Sequence, residues 1–190
     1  MSALHTMGWL VAIVYSTVPS YWLVVHSGPK RWQSYRKPLL VLGPIWMLMW
    51  IVAAVITWPW HAVALYETRL GWIAAAPLFA VGIYLYGRGT RQFSSDQVLG
   101  RSEIQPQRHV QSLNTTGVRA RVRHPLYLAH LCETIAWAVG TGLAVVYALL
   151  AFGVFTGYFM VRAEERELEA RFGETYREYK RRAPAIVPKL

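Results

Sequence analysis

PLYLAHLCETIAWAVGTGLAVVYALLAFGVFTGYFMV, residues 125–161, is the stretch on which the reading of this chain turns. Two apolar runs, 126–139 and 143–161, are separated by Gly140-Thr141-Gly142. Glycine on either side of a threonine punctuates a helical pattern, so the stretch reads as a helical hairpin with a tight turn. The first limb carries His130, Cys132 and Glu133. Ionisable groups inside an apolar helix are costly, and in a membrane span they mark function.

Three more apolar runs lie upstream, at 7–25, 38–60 and 71–86. The second ends in Thr57-Trp58-Pro59-Trp60, aromatic residues of the kind that favour a membrane–water interface. A helix needs roughly 20 apolar residues to cross the hydrocarbon core. The five runs therefore predict an all-α, polytopic membrane helix bundle of about five transmembrane helices, the last two forming the hairpin. The expected organisation is a single membrane domain over 1–190. It has three N-terminal spans within 1–86, a cytoplasmic loop 87–123, the hairpin 124–161 and a cytoplasmic tail 162–190. No basic segment precedes the first run, which reads as an uncleaved span.

Charge orients the bundle. The chain has 20 Lys and Arg against 10 Asp and Glu. Lys30, Arg31, Arg36 and Lys37 occupy the first loop. The second has only Arg69, balanced by Glu67. Arg88, Arg91, Arg101, Arg108, Arg119, Arg121 and Arg123 precede the hairpin, and the tail is basic again. Alternate loops are basic, as the positive-inside rule requires. The N-terminus is thus expected outside and the C-terminus in the cytoplasm, at the inner membrane if the cell is bacterial. Because the basic residues lie between apolar runs and form no face of a soluble module, nucleic acid is excluded as a partner. No obligate protein partner is evident. The lone Cys132 excludes an internal disulfide and a multi-cysteine metal site, and is read as a small apolar filler.

On the first limb of the hairpin Arg123, Tyr127, His130 and Thr134 follow helical spacing, with Glu133 and Trp137 beside the same stripe. The bland alternative is that His130 and Glu133 pair with each other or cap neighbouring helices. Pro125 suits a first helical turn, where its missing N–H costs nothing. The tail, VRAEERELEARFGETYREYKRRAPAIVP, reads as an amphipathic helix on the membrane surface. Leu168, Phe172, Tyr176 and Tyr179 would turn down to lipid, with Lys180, Arg181 and Arg182 solvated. Glu164 and Glu165 differ, because they follow the last span at the depth of Arg123 and His124. There they would pair with Arg123 or bind a ligand cation. The polar loop 94–117 is long for a compact domain, and such loops are functional or disordered.

GVRARVRHPLYLAH, followed some forty residues later by EERELEARFGETYREYKRRAPAIVP, resembles the isoprenylcysteine carboxyl methyltransferase and phospholipid methyltransferase group of integral membrane enzymes. The resemblance covers roughly residues 111–188; the first three spans are similar in hydropathy alone. It implies methyl transfer from S-adenosyl-L-methionine. It also implies that Gly117, Arg123, His124, Pro125 and Tyr127, with Glu164 and Glu165, hold that cofactor at the cytoplasmic end. Three residues depart from the family pattern: Arg119 for an aromatic, Ala129 for a glycine and Gln111 for a histidine. These bear on the substrate more than on the cofactor.

The chemistry of the residues agrees with this donor. Its carboxylate suits Arg123 as a bidentate partner, and its ammonium suits Glu164 or Glu165. Tyr127, Tyr147 and Tyr158 can face the adenine, or the sulfonium by cation–π attraction. An in-line displacement asks chiefly for alignment. A carboxylate or thiolate acceptor needs no base; for an amine or thiol, Glu133 or His130 would take the proton. The acceptor is expected to be a lipophilic or lipidated molecule entering sideways from the bilayer. Two other readings compete: an NADPH-dependent reductase of sterol-reductase-like architecture, and a scaffold or transporter subunit in which His130 and Glu133 mark a polar path.

Overall fold

The computed structural model describes residues 2–91, 93, 101–105 and 112–187. Eight α-helices are present among them: α1 (Ala3–His26), α2 (Pro29–Gln33), α3 (Leu39–Thr57), α4 (Arg69–Thr90), α5 (Arg101–Ile104), α6 (Pro125–Thr141), α7 (Ala144–Phe172) and α8 (Glu174–Arg182). Short 3-10 turns occupy Trp58–Trp60 and Gly117–Ala120. Strand pairing among the described residues is limited to one isolated bridge, Ala64 with Leu143.

Four segments are long and apolar enough to cross a membrane: α1, α3 with its 3-10 extension to Trp60, α4 and α7. The fifth expected span, α6, has 17 residues, about 25 Å at 1.5 Å per residue. It packs most extensively against α4, through small residues. A Cβ at Gly71 would approach the Val139 carbonyl to 2.5 Å, and one at Gly82 would approach Glu133 Cγ to 2.5 Å. Ala129, Ala136 and Ala138 of α6 are fully buried. Such close backbone approach is how helices associate where lipid offers no hydrophobic drive. Helix α3 has hardly any buried surface. Two indole donors tie it to α1: Trp9 Nε1 to Thr57 Oγ1 at 2.9 Å, and Trp46 Nε1 to Thr17 Oγ1 at 3.1 Å.

The hairpin turn lies where the Gly-Thr-Gly signal puts it. Gly142 closes α6 at φ 65°, in the left-handed region where glycine is favoured. A Cβ there would also lie 2.3 Å from the Tyr66 carbonyl. The segment joining α3 to α4 lies along this turn, with Leu65 N donating to Gly142 O at 2.8 Å and Ala144 N to Val63 O at 2.9 Å.

Two expectations for the tail are corrected. Hydropathy ends near residue 161, but the helix does not: α7 runs unbroken to Phe172. Its 29 residues span about 43 Å, so roughly its last third projects beyond a hydrocarbon core of about 30 Å and carries Glu164 and Glu165 with it. The chain then turns at Gly173 (φ 57°), and α8 folds back onto the protein. Tyr176 and Tyr179 are buried with Leu113, Leu168 and Phe172 around them. The apolar face of the tail therefore meets this chain's own loop rather than lipid. Tyr179 OH donates to Arg119 O at 2.7 Å.

Candidate functional site

One end of the bundle, called the inner end from the charge alternation, is assembled from three stretches distant in sequence. After α8 the chain crosses the start of α6: Arg123 N donates to Pro184 O at 2.9 Å and His124 N to Ala185 O at 3.0 Å. His124 caps α6 and Pro125 takes its first position. This backbone strap occupies amide donors that precede a helix and would otherwise need water.

Arg123, His124 and Glu165 meet beneath the strap. Arg123 Nε donates to Glu165 Oε1 at 2.9 Å, its Nη2 binds the same oxygen, and its Nη1 reaches the carbonyls of Lys180 and Ala183. His124 Nε2 lies 3.4 Å from Glu165 Oε1 and Lys180 Nζ lies 3.4 Å from Glu165 Oε2. The Arg123 and Glu165 side chains are only 6% and 11% exposed. Of the two pairing options open to these carboxylates, Glu165 takes the one with Arg123. Glu164 does not: its buried Oε2 has no hydrogen-bond partner among the described residues and lies 3.6 Å from His124 Nδ1. Lys180 is exposed, as expected, and reaches the edge of the cluster with its Nζ.

Two cavities flank this brace. The inner one, about 200 Å³, is walled by Trp22, Tyr86, Phe93, Phe172 and Tyr176, with Arg119, His124 and Glu164 as its charged or titratable groups beside Arg123. The second, about 400 Å³, lies between α1, α6 and α7. Its walls are mainly apolar, including Leu131, Leu149, Leu150 and Met160. At its rim Val154 and Tyr158 are 52% and 56% exposed, on the lipid-facing side of α7. Val18, Tyr127 and His130 line both cavities.

Most of the candidate residues converge here: Arg123, His124, Pro125 and Glu164 on the inner cavity, Glu165 on the apolar one, and Tyr127 and His130 on both. Two do not. Gly117 is exposed and lines neither cavity; its φ of 60° starts the turn that carries Arg119 inward. Glu133 also lines neither, and accepts a hydrogen bond from Tyr15 OH at 2.6 Å. Two tyrosines proposed for the donor lie elsewhere. Tyr147 pairs with Tyr66 OH at 2.7 Å at the other end of the bundle, and Tyr158 edges the apolar cavity beneath Arg162. Gln111 lies outside the described residues.

Arg119 was noted only as a departure from a pattern. It is buried, donates from Nη1 to Gly89 O at 2.9 Å and stacks 4.0 Å from the Phe93 ring. Tyr15, Tyr86 and Trp22 were also missed. Each sits in an apolar run, where an aromatic carries no distinguishing signal.

Neither a protein-family model nor a solved structure matches the chain. Curated relatives do. It is 29% identical over 175 residues to methanethiol S-methyltransferase 2 of Bradyrhizobium diazoefficiens, covering 85% of this chain and 65% of the relative. It is 30% identical over 129 residues to protein-S-isoprenylcysteine O-methyltransferase of Rattus norvegicus, covering 63% and 43%. It is 25% identical over 178 residues to methanethiol S-methyltransferase of Mycobacterium tuberculosis, covering 87% and 71%. The chain spans less than two thirds of the length of the first two of these. Its apolar helices and its relatives agree: the chain is an integral membrane protein similar to methyltransferases named for methanethiol and for protein-S-isoprenylcysteine.

Proposed function

We propose that this protein is a membrane-embedded methyltransferase that uses S-adenosyl-L-methionine and methylates a lipophilic or amphipathic acceptor. The observation that carries the reading is the pair of cavities, one polar and aromatic, one apolar, sharing the wall of Tyr127 and His130. Two substrates of opposite solubility then meet at one place. The donor enters from the cytoplasmic side and the acceptor from the bilayer, past Val154 and Tyr158. The N-terminus lies outside and the tail inside, as the charge alternation requires.

When bound, S-adenosyl-L-methionine supplies an electrophilic methyl group on a sulfonium sulfur. The residues of the inner cavity fit it. Glu164 presents a buried carboxylate oxygen without a hydrogen-bond partner, and such an atom calls for a ligand or an ion; it suits the donor's ammonium. Arg119 places positive charge on the opposite polarity of the same ligand, its carboxylate. Trp22, Tyr86 and Phe172 offer faces to the adenine. Arg123 and Glu165 act differently from what the family resemblance implies: they neutralise each other and hold the strap and α8 over the site. Tyr127 and His130 hold the methyl group and acceptor in line, and the apolar walls exclude water from the displacement.

Calorimetric titration of the detergent-purified chain tests this. S-adenosyl-L-methionine is expected to bind and NADPH is not. Glu164→Gln should weaken donor binding about tenfold, equivalent to about 1.4 kcal/mol, with the melting temperature unchanged. NADPH binding without donor binding would overturn the reading in favour of a reductase, and binding of neither would favour a scaffold.

A further inference from the structure

His130 stands at the junction of the two cavities and is held there from two sides. Its ring centroid is 5.0 Å from that of Tyr15 on α1 and 5.8 Å from that of Tyr86 on α4. Three residues further along α6, Glu133 is pressed against Gly82 and fixed by the Tyr15 hydroxyl. His130 Nδ1 is buried with no hydrogen-bond partner among the described residues. A histidine kept only for packing ordinarily has its ring nitrogens bonded. Here both neighbours with hydroxyls are in ring contact with it, yet Nδ1 is left open.

Three acceptor classes can be weighed against this junction. A carboxylate needs no base, and it would have to enter the apolar cavity as an anion, at high desolvation cost. An ammonium would have to enter the apolar cavity charged, at high desolvation cost. A thiol buries almost as an apolar group, but its nucleophilic form is the thiolate, so a proton must leave it at the point of reaction. The wall that both cavities share offers one imidazole, His130, and its buried Nδ1 has no hydrogen-bond partner among the described residues.

We propose that the apolar cavity takes a lipophilic thiol and that His130 accepts its proton. This rests on the methyl-transfer reading above and adds the class of acceptor and the base. The S–H bond breaks and its proton goes to the imidazole. The sulfur lone pair forms a bond to the methyl carbon. The bond from that carbon to the sulfonium sulfur breaks, and its electron pair stays with the departing thioether. The proton then returns to water through the inner cavity. Tyr15 and Glu133 are positioning residues: the hydroxyl anchors the carboxylate, whose charge favours the imidazolium one turn away. Tyr86 and Tyr127 complete the titratable groups around the ring, and Arg162 and Glu165 of α7 line the apolar cavity beyond it. A one-carbon thiol would leave most of the 400 Å³ unfilled and forfeit the dispersion contacts of its walls, so a longer chain is favoured.

The full chain in lipid nanodiscs, given S-adenosyl-L-methionine, decides among 1-octanethiol, methanethiol, octanoate and octylamine as acceptors. Octanethiol is expected to exceed methanethiol by about tenfold in kcat/KM, as burial of several methylenes allows, with the acid and the amine slower still. His130→Asn should lower the octanethiol rate by about 10²–10⁴ at saturating donor. It should lose under about tenfold with 4-nitrothiophenol, which arrives ionised. Tyr15→Phe should lower kcat for octanethiol at unchanged KM and spare 4-nitrothiophenol, a discrimination that mere structural damage would not produce. Without any turnover, methyl octyl sulfide should bind the donor-free protein in calorimetry, in wild type and in His130→Asn alike. Should His130 variants not fold, wild type still decides: its octanethiol rate stays flat between about pH 7 and 8, where a rise of about tenfold, parallel to free thiolate, would overturn the base. Preference for octanoate or octylamine, with donor binding intact, overturns the acceptor class alone. Absence of donor binding overturns the methyl-transfer reading and this assignment with it.

Discussion

The two ends of the bundle are closed by different chemistry. At the outer end the seal is neutral. Backbone amides of residues 63–65 pair with those of the hairpin turn, Tyr66 bonds Tyr147, and Trp9 bonds Thr57. At the inner end a carboxylate, a guanidinium, an imidazole and an ammonium meet under a strap. Neutral hydrogen bonds suffice to close a helix bundle. Buried charge is costly to assemble and is weak evidence for stability in its own right. Among the described residues the outer seal carries no such cluster, so the two ends are closed at different electrostatic cost.

That contrast can be broken from the charged side with the largest effect. Glu165→Ala leaves Arg123 buried without its counter-ion, at a cost of about 3–5 kcal/mol. The strap and α8 should come away, read as trypsin cleavage after Lys180 and Arg181 in protein whose spans stay intact. Glu165→Gln keeps the shape but not the charge and should loosen the tail too. Continued protection of the tail in both variants would show that the brace is not electrostatic.

On the neutral side, Gly142→Val combines a left-handed backbone with a clash at the Tyr66 carbonyl. It should cost about 2–3 kcal/mol, seen as a lower melting temperature with donor affinity unchanged in the folded fraction. A change in donor affinity would mean that the two ends are coupled.

The smallest expected effect is at Tyr179. Burial pushes its phenol up to about 12, against the pull of the Arg119 and Arg123 charges. Because the folded value lies above the unfolded one of about 10, its stabilisation is complete below about pH 10 and is lost as pH rises through about 12. Tyr179→Phe should lose about 1 kcal/mol with the hydrogen bond to Arg119 O and flatten that alkaline decline in melting temperature.

Much of this arrangement is legible in the residues. The Gly140-Thr141-Gly142 turn and the Pro125 start follow from local chemistry, and the pairing of Arg123 with one of two adjacent carboxylates, in the event Glu165, from the depth at which both stretches leave the apolar runs. Three things are not, for physical reasons. Hydropathy measures where apolar side chains stop, and α7 goes on past that point because charged residues are good helix formers. An amphipathic face satisfies itself equally on lipid or on protein, so the covering of Tyr176 and Tyr179 by Leu113 and Leu168 leaves no mark in the sequence. Adjacent residues on a helix point about 100° apart, so Glu164 and Glu165 must divide two roles, yet nothing in the letters says which meets Arg123 and which faces the cavity.

The strap has a bearing on biogenesis. Arg123 and Ala183, joined through the guanidinium, stand 60 positions apart, and every membrane helix is already synthesised before the second of them leaves the ribosome. The bundle can therefore insert and pack with this end still gaping, and residues 183–185 draw it shut only after every helix described here has been made.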